Sequence, residues 1–484
     1  MSPAAALHPT AITQLAQAVC AVRVMPAMPM PSGLAERAAA HVLDWLGCAA
    51  QGASSPTGQA MARWLLLQAA GPQPTLAGRF ADPAAAAAYH GALGGALEMD
   101  DVHRSAILHP GPVVVPAALA AASAASVDTP GALFLSAVVA GYEATIRVGR
   151  ALGPGHYRLW HPTATAGVFG AAAAAATVLG LDAATTAQAL ALAGTRSGGL
   201  WQVRHETQAG KAWHTAGAAR EGLAAAQLAS VGLTGPLGVL CGPSGWFAAT
   251  APDARVDCIG EARATPWIDD VSFKPWPACR HAHPALDALQ GAVEQTEPAA
   301  TAATAAQGAD PAQRAASIEQ IHVHTYNDAL RFCDRLHPSD AVQARFSIQH
   351  VLAAWLVWGT PQLAHSEPPA LADAQVRALR ERVHLHADAA IEARYPAHYG
   401  ARVEVHWRDG RRSQHALTDT WGDPARPMSQ RALHDKARML MAAAGWTVAR
   451  AEAAVAACVA LPQAPDLRAL HAVLHPGLHP ARQP

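Results

Sequence analysis

The chain has 484 residues, with 35 Lys and Arg against 36 Asp and Glu and a formal net charge of -1, so nothing in its charge points to nucleic acid. A hydrophobic fraction of 51% supports a large core, and only 15% charged residues argues against long disordered tracts. Seven cysteines with no CxxC pair read as reduced thiols in a cytoplasmic protein.

The first twenty residues have no Lys or Arg ahead of their apolar part, which is not the order of a targeting segment. Residues 113–126 are greasy but broken by Pro116 and Ser123, and 171–193 carry Asp182 and Gln188, so neither reads as a membrane span. Roughly a quarter of the residues are Ala, the strongest helix former, so most of the chain should be helical. Small side chains let helices approach closely, which places 170–180 and 216–230 inside a packed bundle.

From about 271 to 415 the β-branched, aromatic and charged residues become more frequent. Residues 321–326 alternate with period two, as a strand does, and 402–408, Asp409-Gly410 and 411–415 read as a hairpin with its turn at Asp-Gly. Beyond Gly422-Asp423-Pro424 and Pro427, Ser429 caps a helix over 430–443. The expected fold is mainly α with a smaller α/β domain. An all-helical domain is formed by both chain ends, 1–270 and 416–484, and an α+β lid domain, 271–415, is inserted between them.

Ionisable groups set among Ala and Leu must be paired, neutralised or functional. Five stretches stand out: Glu98-Met99-Asp100-Asp101-Val102-His103 running to His109-Pro110-Gly111; Gly141-Tyr142-Glu143; His156-Tyr157 with His161-Pro162-Thr163; Lys211-Ala212-Trp213-His214; and 274–284, KPWPACRHAHP. Lys211, Lys274 and Lys436 are the only lysines, so Arg serves almost everywhere a generic surface cation would do. A retained ammonium at Lys211 fits proton transfer or carboxylate binding, which an always-charged guanidinium does less readily. Lys436, in a polar helix, reads as an ordinary surface residue.

Among 25 histidines, His109, His161 and His283 each precede a proline, which should hold them extended and break the helix where a side chain can enter a cleft. The same dipeptide occurs at His8, His337, His475 and His479, so it is weak alone. His322 with His324, and His384 with His386, are spaced to share a strand face; without a third regularly spaced ligand they read as a solvated face and not a metal site. Asp100-Asp101 is followed by His103-Arg104 where a Mg-diphosphate motif would want another Asp, and Gly91-Ala92-Leu93-Gly94-Gly95 lacks the spacing of a nucleotide loop. The residues therefore read as an enzyme needing neither metal nor cofactor.

The ordered blocks EMDDVHRSAILHPGPVVVPAALA, GYEATIRVGRAL, HYRLWHPTATAGVFGAAAAAATVLGLD, KAWHTAGAAREGLAAAQLASVGLTGP, FKPWPACRHAHPALDA, ARFSIQHVLAAWLVWG and GDPARPMS resemble the MmgE/PrpD superfamily over nearly the whole chain. That superfamily includes 2-methylcitrate dehydratase, cis-aconitate decarboxylase and iminodisuccinate epimerase. The resemblance implies a homodimer with a cleft between a helical and a lid domain, and a small polycarboxylate as substrate. It carries active-site roles onto Asp100, His109, Tyr157, His161 and Lys211 as catalytic residues, and onto Asp101, Arg280 and His283 as substrate-binding ones. His283 and Arg280 are expected to reach substrate from the lid side.

One departure bears on the reaction. Cis-aconitate decarboxylases typically show an Asp-Phe-Asp-Asp-Thr-Trp run where this chain has Glu98-Met99-Asp100-Asp101-Val102-His103. The missing Thr turns the expectation toward a hydro-lyase of the 2-methylcitrate dehydratase kind, with epimerisation or decarboxylation as alternatives and a non-catalytic polycarboxylate-binding protein as the rival from another class.

Overall fold

The structure, a computed structural model, describes residues 10–23, 30–125, 128–204, 206, 209–295 and 311–475. The start of the N-terminal stretch read for targeting, Ser126, His8 and His479 lie outside these residues. With 60% helix and 8% strand the protein is mainly α with a smaller α/β part. It divides into two compact units, one of Met1–Ala96, Asp100–Val271 and Ser429–Pro484, the other of Leu97–Met99 and Ser272–Met428.

The first unit is a helical assembly whose core is largely alanine. The Gly131–Tyr157 helix lies at its centre and packs against Gly167–Val178, which in turn packs against Ala209–Ser230. Glycines set these distances. A Cβ on Gly170 would stand 1.8 Å from the Thr145 hydroxyl and 2.6 Å from the Gly141 carbonyl, so the two backbones touch as only glycine permits. Among the described residues Gly131–Tyr157 is the one helix long and apolar enough to cross a membrane, and 89% of its apolar window is buried within the protein, as befits a core helix.

Local signals start and stop these elements. Asp82 caps Pro83–Gly94 by accepting from the Ala84 and Ala85 amides at 3.0 and 3.2 Å, and Asp182 caps Ala183–Gly194. Gly153, at φ 73, and Pro154 kink the end of Gly131–Tyr157 and redirect the turn bearing His156 and Tyr157. Ser429 caps Gln430–Ala443 as expected. Lys436 corrects the reading above: it is 5% exposed, and its Nζ donates to Asp44 at 2.6 Å. It falls on the stripe formed by Leu433, Ala437, Leu440 and Met441, the buried face of an otherwise polar helix.

The second unit is built on a four-stranded sheet in the order Val383–Ala387, Ile318–Thr325, Ala401–Trp407, Arg412–Leu417. The first pair is parallel, with His322 opposite His384 and His324 opposite His386; the other pairs are antiparallel. The expected hairpin is present, and Gly410 takes the positive φ of 86 that its turn demands. Ala401–Trp407 alternates between buried and half-buried residues, and the His283–Glu294 helix packs against the last two strands.

Candidate active site

Asp101 organises the first unit's polar cluster. One carboxylate oxygen accepts from the Tyr142 hydroxyl at 2.5 Å and from His41 Nδ1 at 2.8 Å; the other accepts from the Gly111 amide at 3.0 Å. Burial raises the Asp101 pKa to about 6, against the lowering effect of Tyr142 and Gly111. Burial, followed by the Arg37 charge, drives His41 well below its ordinary value, so His41 is neutral and donates through Nδ1. Gly111 cannot be replaced cheaply, because a Cβ there would lie 2.9 Å from Asp101 Oδ1. Expected at the substrate, Asp101 is 2% exposed, with three internal donors on its carboxylate.

His109 is oriented by the same segment. Its Nδ1 lies 2.6 Å from the Asp101 carbonyl and 3.2 Å from Asp100 Oδ2. A carbonyl only accepts, so Nδ1 bears a proton and donates it to the Asp101 carbonyl. A carboxylate beside Nδ1–H is an arrangement that can stabilise an imidazolium. Tying the segment down, His103 and Leu108 exchange backbone bonds across a tight turn in which Ile107 has φ 50, a strained conformation for a β-branched residue. His103 accepts the Ala106 amide through Nδ1, and burial lowers its pKa to about 3, which makes it a neutral brace for the turn.

Thr163 connects this cluster to the next. Its hydroxyl accepts from the His109 amide at 3.1 Å, and it lies in the short Pro162–Thr165 helix that follows His161. His161 is extended, as a residue before proline should be, and 1% exposed. Its Nδ1 lies 3.3 Å from Nδ1 of His214, and its ring is 4.3 Å from that of Trp201. Tyr157 meets the same indole edge-on at 6.1 Å. Lys211, 8% exposed, precedes His214 by one turn on Ala209–Ser230, so the two share a helix face.

The second unit holds its own charged groups. Lys274 is fully buried and donates to the Glu98 carbonyl at 3.1 Å and to its carboxylate at 3.2 Å; Glu98 adopts φ 59. Arg280 pairs with Asp423, which also accepts from Ser272. His283, 0% exposed, donates through Nε2 to the Ala278 carbonyl at 3.2 Å and receives Arg280 at Nδ1 at 3.3 Å. The expected extended conformation fails here. His283 is αR, at φ -60 and ψ -43, because the 3-10 turn Arg280–Ala282 runs directly into its helix and Pro284 occupies the first turn, where its missing N–H costs nothing.

Within the first unit, then, Asp100, Asp101 and His109 form one polar cluster, and His161 stands two residues before Thr163, which accepts from the His109 amide, with Tyr157 and Lys211 on adjoining elements; Arg280 and His283 belong to the second unit. His41, Trp201 and the partnership of His214 with His161 were missed from sequence. The His214 signal was present, since it stands three residues after Lys211 on a helix. His41 and Trp201 gave none, for each reaches the cluster only through tertiary packing.

Comparison with known proteins finds two family domains in order, the second running past Met428 into the part of the first unit that begins at Ser429. Residues 13–259 match the MmgE/PrpD N-terminal domain and 276–461 the MmgE/PrpD C-terminal domain. A cis-aconitate decarboxylase-like protein of Aspergillus oryzae is 27% identical over 85% of this chain and 87% of its own length. The cis-aconitate decarboxylase of Mus musculus is 26% identical over 58% of this chain and 55% of its own. The 2-methylcitrate dehydratase of Salmonella typhimurium is 28% identical over 50% and 49%. With both family domains matched in order across most of its length, the chain belongs to the MmgE/PrpD family.

Proposed function

We propose that this protein is a metal- and cofactor-independent lyase that removes a proton next to a carboxylate of a small polycarboxylate and expels water, as on a 2-methylcitrate-like substrate. The observation that carries the reading is the Asp100–His109 pair, tied through Thr163 to the His161–His214 pair. A C–H beside a carboxylate is a weak acid, so the reaction needs a positioned base and a second group to protonate the leaving hydroxyl. His109, with the Asp100 carboxylate at its Nδ1, and His161, with His214 at its Nδ1, supply two such groups. The Lys211 ammonium and the Tyr157 hydroxyl offer a cation and a donor for substrate carboxylates or the departing oxygen. Arg280 and His283, which hold each other, position the 278–283 segment.

Decarboxylation of a cis-aconitate-like substrate is the second reading, favoured by the relative that covers 85% of the chain. A screen of 2-methylcitrate, citrate, cis-aconitate and iminodisuccinate, following water loss, CO2 release and stereochemistry, separates the reactions. Binding without turnover of any of them would leave a polycarboxylate-binding protein. Activity should survive exhaustive EDTA treatment; loss restored by one divalent ion would overturn the metal-independent mechanism. His161→Ala and Lys211→Ala should retain the far-UV spectrum of the fold and lower kcat by roughly 10²- to 10⁴-fold. Near-normal turnover in both would remove them from the chemistry.

A further inference from the structure

Seven cysteines are scattered along the chain, and folding brings two of them together in the second unit. Cys279 precedes the 3-10 turn Arg280–Ala282, and Cys333 ends the helix Asn327–Cys333, against which that turn packs. The His281 ring stacks on Phe332 at 5.2 Å and 14°, and its Nδ1 meets the Tyr326 hydroxyl at 2.8 Å, so residues beside both cysteines are in direct contact. The Cys279 amide donates to the Arg345 carbonyl at 2.8 Å, which fixes the backbone that carries the sulfur. Within this frame the Cys279 and Cys333 thiols are hydrogen-bonded to each other.

The two sulfurs differ in character. Burial disfavours a thiolate at both. At Cys279 the Cys333 S–H, the Lys274 charge and the His281 amide outweigh burial and the Glu98 charge, and hold the thiol below its ordinary value. At Cys333 burial, reinforced by the Cys279 sulfur, pushes the thiol well up, so the proton stays there. Cys279 is 7% exposed and Cys333 0%, so a small oxidant meets Cys279 first. A sulfur favoured as thiolate beside a second thiol is the arrangement of a redox-active pair, in which one attacks and the other resolves.

We propose that Cys279 and Cys333 form an oxidation-sensitive dithiol, closed to a disulfide by hydrogen peroxide and reopened by a thiol reductant. The Cys279 thiolate attacks one peroxide oxygen; an S–O bond forms, the O–O bond breaks, and hydroxide leaves and takes up a proton to become water. Cys333 then attacks the sulfenic sulfur; an S–S bond forms, the S–O bond breaks, and the second hydroxide leaves with the Cys333 proton as water. Two electrons pass from the sulfurs to the peroxide. Dithiothreitol returns them by exchange through a mixed disulfide. The bond ties the turn that carries Arg280, and with it His283, to the helix that ends at Cys333.

Mass spectrometry of the full chain, reduced, freed of reductant and then treated with hydrogen peroxide, tests the pair. The tryptic peptide of residues 264–280 should appear joined to that of 332–335, and dithiothreitol should release them. Cys333→Ser should leave Cys279 as a sulfenic acid that dimedone traps, whereas Cys279→Ser should leave Cys333 a free thiol. Cys458→Ser should link as the parent does, since that cysteine lies in the first unit and burial pushes its thiol up to about 12. Circular dichroism reports whether each variant folds, and the parent's linked peptide requires no variant. The exposed Cys241 measures the oxidant dose within the same molecule. Peroxide that oxidises Cys241 while Cys279 and Cys333 stay reduced would overturn the proposal, as would dimedone labelling of Cys333 in the Cys279→Ser variant.

Discussion

A carboxylate's chemistry depends on its neighbours, and Asp100 and Asp101 differ by one position yet have different parts. Asp101 accepts three internal donors, whereas Asp100 touches His109 Nδ1. Asp100→Asn should lower kcat/KM by roughly 10²- to 10⁴-fold, because an amide does not stabilise an imidazolium. Its thermal midpoint should stay near the parent's, and the ionisation of the base in the pH–rate profile should move down. An unchanged profile would take Asp100 out of the role. Lys436 offers a contrast in the same unit: Lys436→Ala leaves Asp44 buried and unpaired, a loss of about 3–5 kcal/mol. Burial already raises the Asp44 pKa to about 6 despite Lys436. Urea denaturation measures the loss, and a change below about 1 kcal/mol would mean that the pair is not buried in solution.

Elements follow local rules wherever those rules are not outweighed. The cap at Ser429 and the hairpin turn at Asp409-Gly410 were legible, because each rests on a few adjacent residues, and the caps at Asp82 and Asp182, found only in the structure, obey the same local rule. His161 obeyed the proline rule and His283 did not, since the preceding turn of 3-10 helix supplies the backbone direction at His283. Helix packing was legible only in outline: Ala and Gly forecast close approach, while the contact between Gly170 and Gly141 is a matter of register between helices. Gly170→Ala, favourable by helix propensity, should instead destabilise by about 1–3 kcal/mol through overpacking against Thr145. A lower denaturation midpoint at unchanged m-value checks this, and a gain in stability would overturn the packing argument.

Across the whole molecule, buried neutral histidines determine the response to acid. Burial lowers His90 and His103 to about 3, and His156, His350 and His471 to about 4. Below the unfolded value of 6.5 the unfolded chain takes up protons that the folded one refuses, so their contribution to stability is lost as pH falls from 6.5 toward 4. Asp44 and Asp101, raised to about 6, act in the opposite sense, since the folded state binds their protons first. Five histidines outweigh two carboxylates, and chemical denaturation at pH 7 and pH 5 should show lower stability at pH 5; equal or greater stability would refute the balance. The sequence by itself determined the helical class, the α/β character of the segment from about 271, the Asp409-Gly410 hairpin, the helix start at Ser429 and the ordered blocks that mark the family, for these depend on composition and short-range spacing. Only the tertiary structure decided that Asp101 serves Tyr142 and His41, that His214 backs His161, that Lys436 is buried on Asp44 and that five histidines meet on one sheet face. Each of those outcomes depends on which distant side chain arrives at hydrogen-bonding or ring-contact distance, and that is set by the packing of whole elements.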